Sequence, residues 1–222
     1  MSTLMDALIA LHVIAGGVAL ATFWVPLVVT KGNTVHRRVG VAYVAAMMVA
    51  ALTTFCVVPL RLVHNPERNP MGVLFLGYVG LMSLTTAFYG VRVLRQKTRT
   101  APHRVVVDHV LPLMLVVATV ALGVQSVRVG YVLGMTFVPL GLLVAVPQLR
   151  RMRAVPSEKG WWLREHLGAM LISCIATLTA FLVTNANRVL PGEWMLAAWL
   201  APTVVITPLI AVWSRRYRRR EA

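Results

Sequence analysis

Seven stretches of about 20 residues, nearly free of charge, constrain this chain more than any other feature. They are Ala7–Thr30, Val39–Leu60, Met71–Val91, Asp108–Val127, Val129–Leu149, Leu167–Asn187 and Trp194–Ser214. A helix rising about 1.5 Å per residue needs roughly 20 apolar residues to cross hydrocarbon. The fourth stretch is charge-free only over Val110–Val127 and is extended back through His109 and Asp108. None alternates as a barrel strand does. Seven spans use most of the 222 residues, which predicts one all-α domain over 1–222, a polytopic membrane helix bundle. A soluble enzyme is excluded on composition, since 58% of residues are hydrophobic and 13% charged, against about 25% charged in soluble domains.

A net charge of +15 could mark a nucleic-acid binder, so the placement of the charges decides its meaning. Of 22 basic residues, 18 fall on one side of the seven spans, and only Arg61, Arg68, Arg128 and Arg188 fall on the other. The positive-inside rule then predicts a cytoplasmic C-terminus and an N-terminus outside. No nucleic-acid partner is expected. Arg215, Arg216, Arg218, Arg219 and Arg220 in the tail are expected to meet anionic lipids. Met1–Asp6 carries no Lys or Arg, so the first span reads as an anchor rather than a signal peptide. Cys56 and Cys174 belong at different depths, and no disulfide is expected between them. Asn33 and Thr34 are candidate caps for the second span, and Pro102 suits the first turn of the fourth.

Polar side chains are costly in lipid, so their faces report the bundle interior. The sixth span carries His166, Met170, Ser173, Thr177, Thr184 and Asn187 along one side. The third shows Tyr78, Met82, Thr85, Tyr89 and Arg92, the fourth Asp108, Pro112, Thr119 and Ser126, and the seventh Thr203, Thr207 and Ser214. Interhelical hydrogen bonding explains such stripes, and so does a cavity or a cofactor crevice.

Four histidines, His36, His103, His109 and His166, fall near the predicted inner ends of the second, fourth and sixth spans. On a continuous helix, His109 would lie about 9 Å beyond His103. Imidazole from three helices at one depth suits a transition metal or haem iron. His36, His109 and His166 are therefore the candidate metal ligands, with His103 as a substitute. Asp108 and Glu165 directly precede His109 and His166, and neighbours on a helix face apart. These carboxylates would serve other helices, as partners of a ligand or as proton carriers. His12 with Gly16, and His36 with Gly40 and Tyr43, place a histidine beside a small residue where a flat cofactor or another helix fits. Close helix packing explains the same spacing.

His12-x-x-x-Gly16, His36-Arg37-x-x-Gly40-x-x-Tyr43, and Arg164-Glu165-His166-x-x-Ala169-Met170 with Thr179-Ala180-Phe181 carry a likeness over most of the chain. It resembles the bacterial predicted-membrane-protein family catalogued as domain of unknown function 2306, which implies a polytopic protein of a bacterial inner (plasma) membrane. A looser similarity is to membrane proteins of the cytochrome b561 type, which hold haem between histidines on neighbouring helices. That similarity implies haem b. The chain departs from the pattern in its seven spans and in offering only His12 within a span on the outer side, so one inner haem is implied. The seven-helix zinc hydrolases of membranes also place His and Asp near one face, but their Ser and paired-His pattern does not occur in this chain.

Three functions follow. The first is electron transfer by haem b or a transition metal at His36, His109 and His166, with Tyr43, Gly40 and His12 lining a cofactor and a quinone as partner. The second is proton-coupled transport of a small solute, with Asp108 and His109 carrying protons. The third is zinc-dependent hydrolysis with Glu165 or Asp108 as base.

Overall fold

The computed structural model describes residues 2–64, 69–186 and 188–221, and among them it contains helices and no strand. Arg68 and Asn187, together with the side chains of Ser214 and the tail arginines, lie outside the described residues. The helices are α1 (Ser2–Thr22), α2 (Trp24–Val28), α3 (Thr34–His64), α4 (Pro70–Arg92), α5 (Val106–Val129), α6 (Val132–Arg153), α7 (Trp161–Ala186) and α8 (Met195–Glu221). One 3-10 turn, Val93–Gln96, follows α4, and another, Gly192–Trp194, precedes α8. With α1 and α2 forming one span, seven helical segments are long and apolar enough to cross a membrane. The chain is an integral membrane protein by that measure.

Several helices run past the apolar stretches, because a charge ends hydrophobicity without ending hydrogen bonding. The stretch starting at Val39 begins as helix at Thr34, where Asn33 Oδ1 accepts the His36 N–H at 2.7 Å. That bond is an N-cap to the third helical residue. The stretch starting at Leu167 begins at Trp161. Pro102 differs from expectation, since α5 starts only at Val106 and Pro102 lies in the connection before it. α5 ends at Val129, and Gly130 takes φ +68° beyond it. This is the left-handed position that closes a helix and that glycine occupies without strain.

The contacts divide the chain into two compact units. The first comprises Met1–Thr85 and Val110–Val146, and the second Thr86–His109 and Pro147–Ala222.

In the first unit α1 packs along α3. The His12 Nδ1–H donates to the Ala50 carbonyl at 2.9 Å, and Thr53 Oγ1 stands 3.1 Å from the same nitrogen. The first part of α4 meets α5 and α6 through Tyr78. Its hydroxyl donates to the Phe137 carbonyl at 3.2 Å and lies 3.2 Å from Thr119 Oγ1. Phe75 sets its ring edge-on to Phe137, centroids 4.9 Å apart. This knot requires Gly141, because a Cβ there would overlap the Tyr78 and Thr119 hydroxyls. Apolar burial drives no helix association against lipid, so close packing and such hydrogen bonds carry it.

In the second unit α7 packs on α8 and on the 3-10 turn after α4. Gly90 lets α7 approach, since a Cβ there would strike Met170 and Ala169. Tyr89, Val93, Met152, Trp161 and Ala169 form one buried cluster, with Trp162 against it. Val183, Ala186 and Ala198 form another, joined by Met195 and Trp199.

Substituting Gly141→Ala is expected to cost about 1–3 kcal/mol by overpacking the Tyr78 knot. Gly168→Ala, where a Cβ meets nothing within 4 Å, is expected to cost nothing measurable. Thermal unfolding in detergent micelles distinguishes them, and equal midpoints would refute the role of Gly141.

Candidate functional site

The second unit brings several ionisable side chains together where α4 and α6 finish and α5 and α7 start. Asp108 is the centre. It sits in the first turn of α5, two residues after an entry where the helix N-terminus favours negative charge. Its side chain is only 2% exposed. Arg92, the last residue of α4, meets it as a fork, Nε to Oδ1 at 2.6 Å and Nη2 to Oδ2 at 2.9 Å. The planar guanidinium matches the carboxylate in this geometry. The His103 Nε2–H donates to Oδ2 at 2.6 Å. A buried carboxylate is tolerable only when paired and hydrogen-bonded, and both conditions are met. With a neutral imidazole, the trio carries no net charge.

His103 reaches Asp108 from the connection rather than from a helix. Its backbone N–H donates to the Met152 carbonyl at 2.8 Å, which ties the connection to α6. The turn also brings the His103 and His109 rings side by side, stacked at 6.0 Å and 15°. The 9 Å separation expected for a continuous helix is therefore absent, because the chain folds back before Val106.

Glu165 is the second carboxylate. It accepts the Tyr89 hydroxyl at 2.8 Å on Oε2 and faces Arg151 Nε at 2.9 Å on Oε1. Its side chain is 19% exposed, against 2% for Asp108, so water screens this pair more. Both carboxylates thus serve elements other than their own. Arg99 completes the end. It donates to the Arg151 and Ala154 carbonyls at 2.7 and 3.1 Å, to Gln96 Oε1 at 3.0 Å, and lies over the Trp161 ring at 4.9 Å. Burial lowers its pKa from the usual guanidinium value, and a guanidinium stays charged regardless.

The candidate metal ligands are distributed between the units. His36 belongs to the first unit, while His109 and His166 belong to the second. The His166 Nδ1–H donates to the Gly90 carbonyl at 2.7 Å. The His109 Nδ1–H donates to the Val105 carbonyl of its own first turn at 3.0 Å. His36 is half-buried, and its Nδ1 has no hydrogen-bond partner. Among the described residues, no three His, Cys, Asp or Glu side chains converge as a metal site requires. Of the other cofactor candidates, Tyr43 is 3% exposed in the first unit, Gly40 is half-buried with open space where a Cβ would point, and His12 holds Ala50 as described.

The stripes behave unevenly. Tyr78, Met82, Thr85 and Tyr89 are buried along α4, the most buried span. Ser173 and Thr177 are buried on α7, whereas Thr184 is exposed and bonds back to Ala180. On α8, Thr203 is half-buried and Thr207 exposed.

No family model, no curated protein and no solved structure matches this chain. Nothing in the sequence assigns partners to Gln96, Arg99 and Arg151, and Arg92 stands there only at the end of a polar stripe. All three arginines count as orientation charges when tallied by loop. The available signal was numerical, since two carboxylates near seven-helix ends must find cations, and the cations nearest in depth are these.

Asp108→Asn is expected to destabilise the protein by about 3 kcal/mol, since it strands the Arg92 charge. Exposure of 22% at Arg92 keeps the loss toward the low end. Arg92→Met with Asp108→Leu should recover most of that loss. Unfolding midpoints in detergent decide it, and a double variant no more stable than Asp108→Asn would refute the pairing as the cause.

Proposed function

We propose that this chain is a proton-coupled transporter of a small solute in a bacterial plasma membrane, with the Asp108 end facing the cytoplasm. The observation that carries the reading is the buried Asp108 carboxylate shared between Arg92 and His103. Ionisable groups at membrane depth are functional by default, because lipid makes them expensive. His103 is a proton donor already aimed at the carboxylate, and the half-buried His109 ring stacks on it. When His103 Nδ1 takes up a proton from water and Nε2–H passes to Asp108, the imidazole stays neutral and the carboxylate loses the negative charge that Arg92 answers. The freed guanidinium then favours an anionic group on the solute or a shift of α4 against α5. The orientation rests on the asymmetry of basic residues.

A second reading is haem b or a metal in an electron-transfer protein, and a specific observation favours it. His109 and His166, two of the candidate ligands, each commit Nδ1 to a backbone carbonyl. In the neutral ring that makes Nε2 the lone-pair nitrogen, the form an iron ligand takes. A haem supplies one-electron chemistry when bound, and the residues' part would be to fix ring tautomer and orientation.

Proteoliposomes loaded with a pH-reporting dye test the first reading. A mixture of amino acids, sugars and carboxylates added outside is expected to accelerate proton movement beyond that of empty vesicles. Asp108→Asn is expected to abolish the acceleration. Proton movement that persists unchanged in Asp108→Asn overturns the reading. The absorption spectrum of the same preparation tests the second, where a Soret band with bound iron supports haem and a colourless, metal-free protein refutes it.

A further inference from the structure

The connection between α6 and α7 encloses a cleft of about 170 Å³, lined by Arg151, Val155, Pro156, Ser157 and Trp161 among others. It holds the volume of several waters, at roughly 30 Å³ each. Because α6 and α7 are consecutive membrane-crossing helices, the segment joining them lies at a bilayer surface. The tryptophans there fit that level, since Trp161 and Trp162 start α7 in the manner of an interfacial belt.

The cleft's lining combines a cation with apolar side chains. Arg151 lines the cleft, and it gives its Nε to Glu165 while its side chain stays 44% exposed. Arg99 is bonded to the Arg151 and Ala154 carbonyls and stacked on Trp161, with its Nε buried and unpartnered. Lys97 lies over Trp162 at 4.3 Å. The lining also holds one negative residue, Glu158, which is ion-paired with Arg164 and so has its charge offset. The α7 N-terminus opens beside it and adds a dipole of the favourable sign for an anion. Val155, also part of the lining, is 49% exposed and adds an apolar surface.

We infer that this cleft is a binding site for the phosphate of an anionic phospholipid, with Arg151 as the contacting cation and Val155 beside the glycerol end. The ligand chemistry is a phosphodiester anion. A basic pocket between membrane helices at a lipid surface is the setting in which such headgroups are held. Arg rather than Lys in the lining suits forked recognition of phosphate oxygens. The inference stands apart from the proton-coupled reading, because it uses neither Asp108 nor His103.

The test is binding of short-chain phosphatidylglycerol to the detergent-purified full chain, followed by native mass spectrometry. Short-chain phosphatidylcholine and inorganic phosphate are the comparison probes. Phosphatidylglycerol is expected to bind saturably and more tightly than phosphatidylcholine. Arg151→Gln is expected to weaken it about fivefold, the weight of one basic side chain at an anionic surface. Because Arg151→Gln also strips Glu165 of a partner, Ser157→Glu is the second variant. Ser157 is exposed and has no part in the ion pairs, so the fold should be unaffected while the added charge repels the headgroup. Equal binding of the two lipids, or undiminished phosphatidylglycerol binding in both variants, overturns the site. Inorganic phosphate binding as tightly as phosphatidylglycerol assigns the cleft to a free anion and overturns the lipid.

Discussion

Hydrocarbon offers no hydrogen bond, and the second unit is organised around that deficit at one carboxylate. Asp108 is 2% exposed, so its charge must be answered by protein. Arg92 answers it from the end of α4, and His103 answers it from the connection. Reaching Asp108 requires the chain after the 3-10 turn to fold back, and the His103 backbone bond to Met152 records where it passes. Arg99 then falls on the last carbonyls of α6, which a helix C-terminus leaves without partners. One buried negative charge thus accounts for a connection, a cap and a proton donor held in place. The site and the scaffold at this end are the same set of bonds.

The first unit meets the same deficit without charge. Tyr78, Thr119 and the Phe137 carbonyl satisfy one another, and Gly141 supplies the space. His12 does so with Ala50 and Thr53. Such neutral bonds are worth little individually in a membrane, about 0.6–2 kcal/mol. Steric fit around glycine decides where these helices touch. The titratable polar pairs described above thus lie in the second unit, and the first answers the deficit with neutral groups.

Much of the architecture was legible. Apolar length alone located the seven spans, and Asn33 declared the start of α3 through its capping chemistry. Helix ends were less legible, because the span at Leu167 continues as helix back to Trp161 through Arg164 and Glu165. Charge stops lipid burial but not the backbone ladder. Of the candidate site, Asp108, Glu165 and the histidines were visible by residue type. Their partners were not. Arg92, Arg99 and Arg151 look alike when counted for orientation, yet each makes a specific bond. His103 was legible as a histidine but not as a turn residue, because Pro102 suggested a helix that begins four residues later.

Hydrophobic length and the placement of charges, both one-dimensional quantities, determined by themselves that this chain is a helical membrane protein with an asymmetric distribution of basic residues. Pairing is three-dimensional. Which cation meets Asp108, which hydroxyl meets Glu165, and which histidine turns to a backbone carbonyl depend on elements 16 to 76 residues apart. Only the tertiary structure decided them, because side chains equivalent in charge differ solely in where the packed helices and their connections bring them.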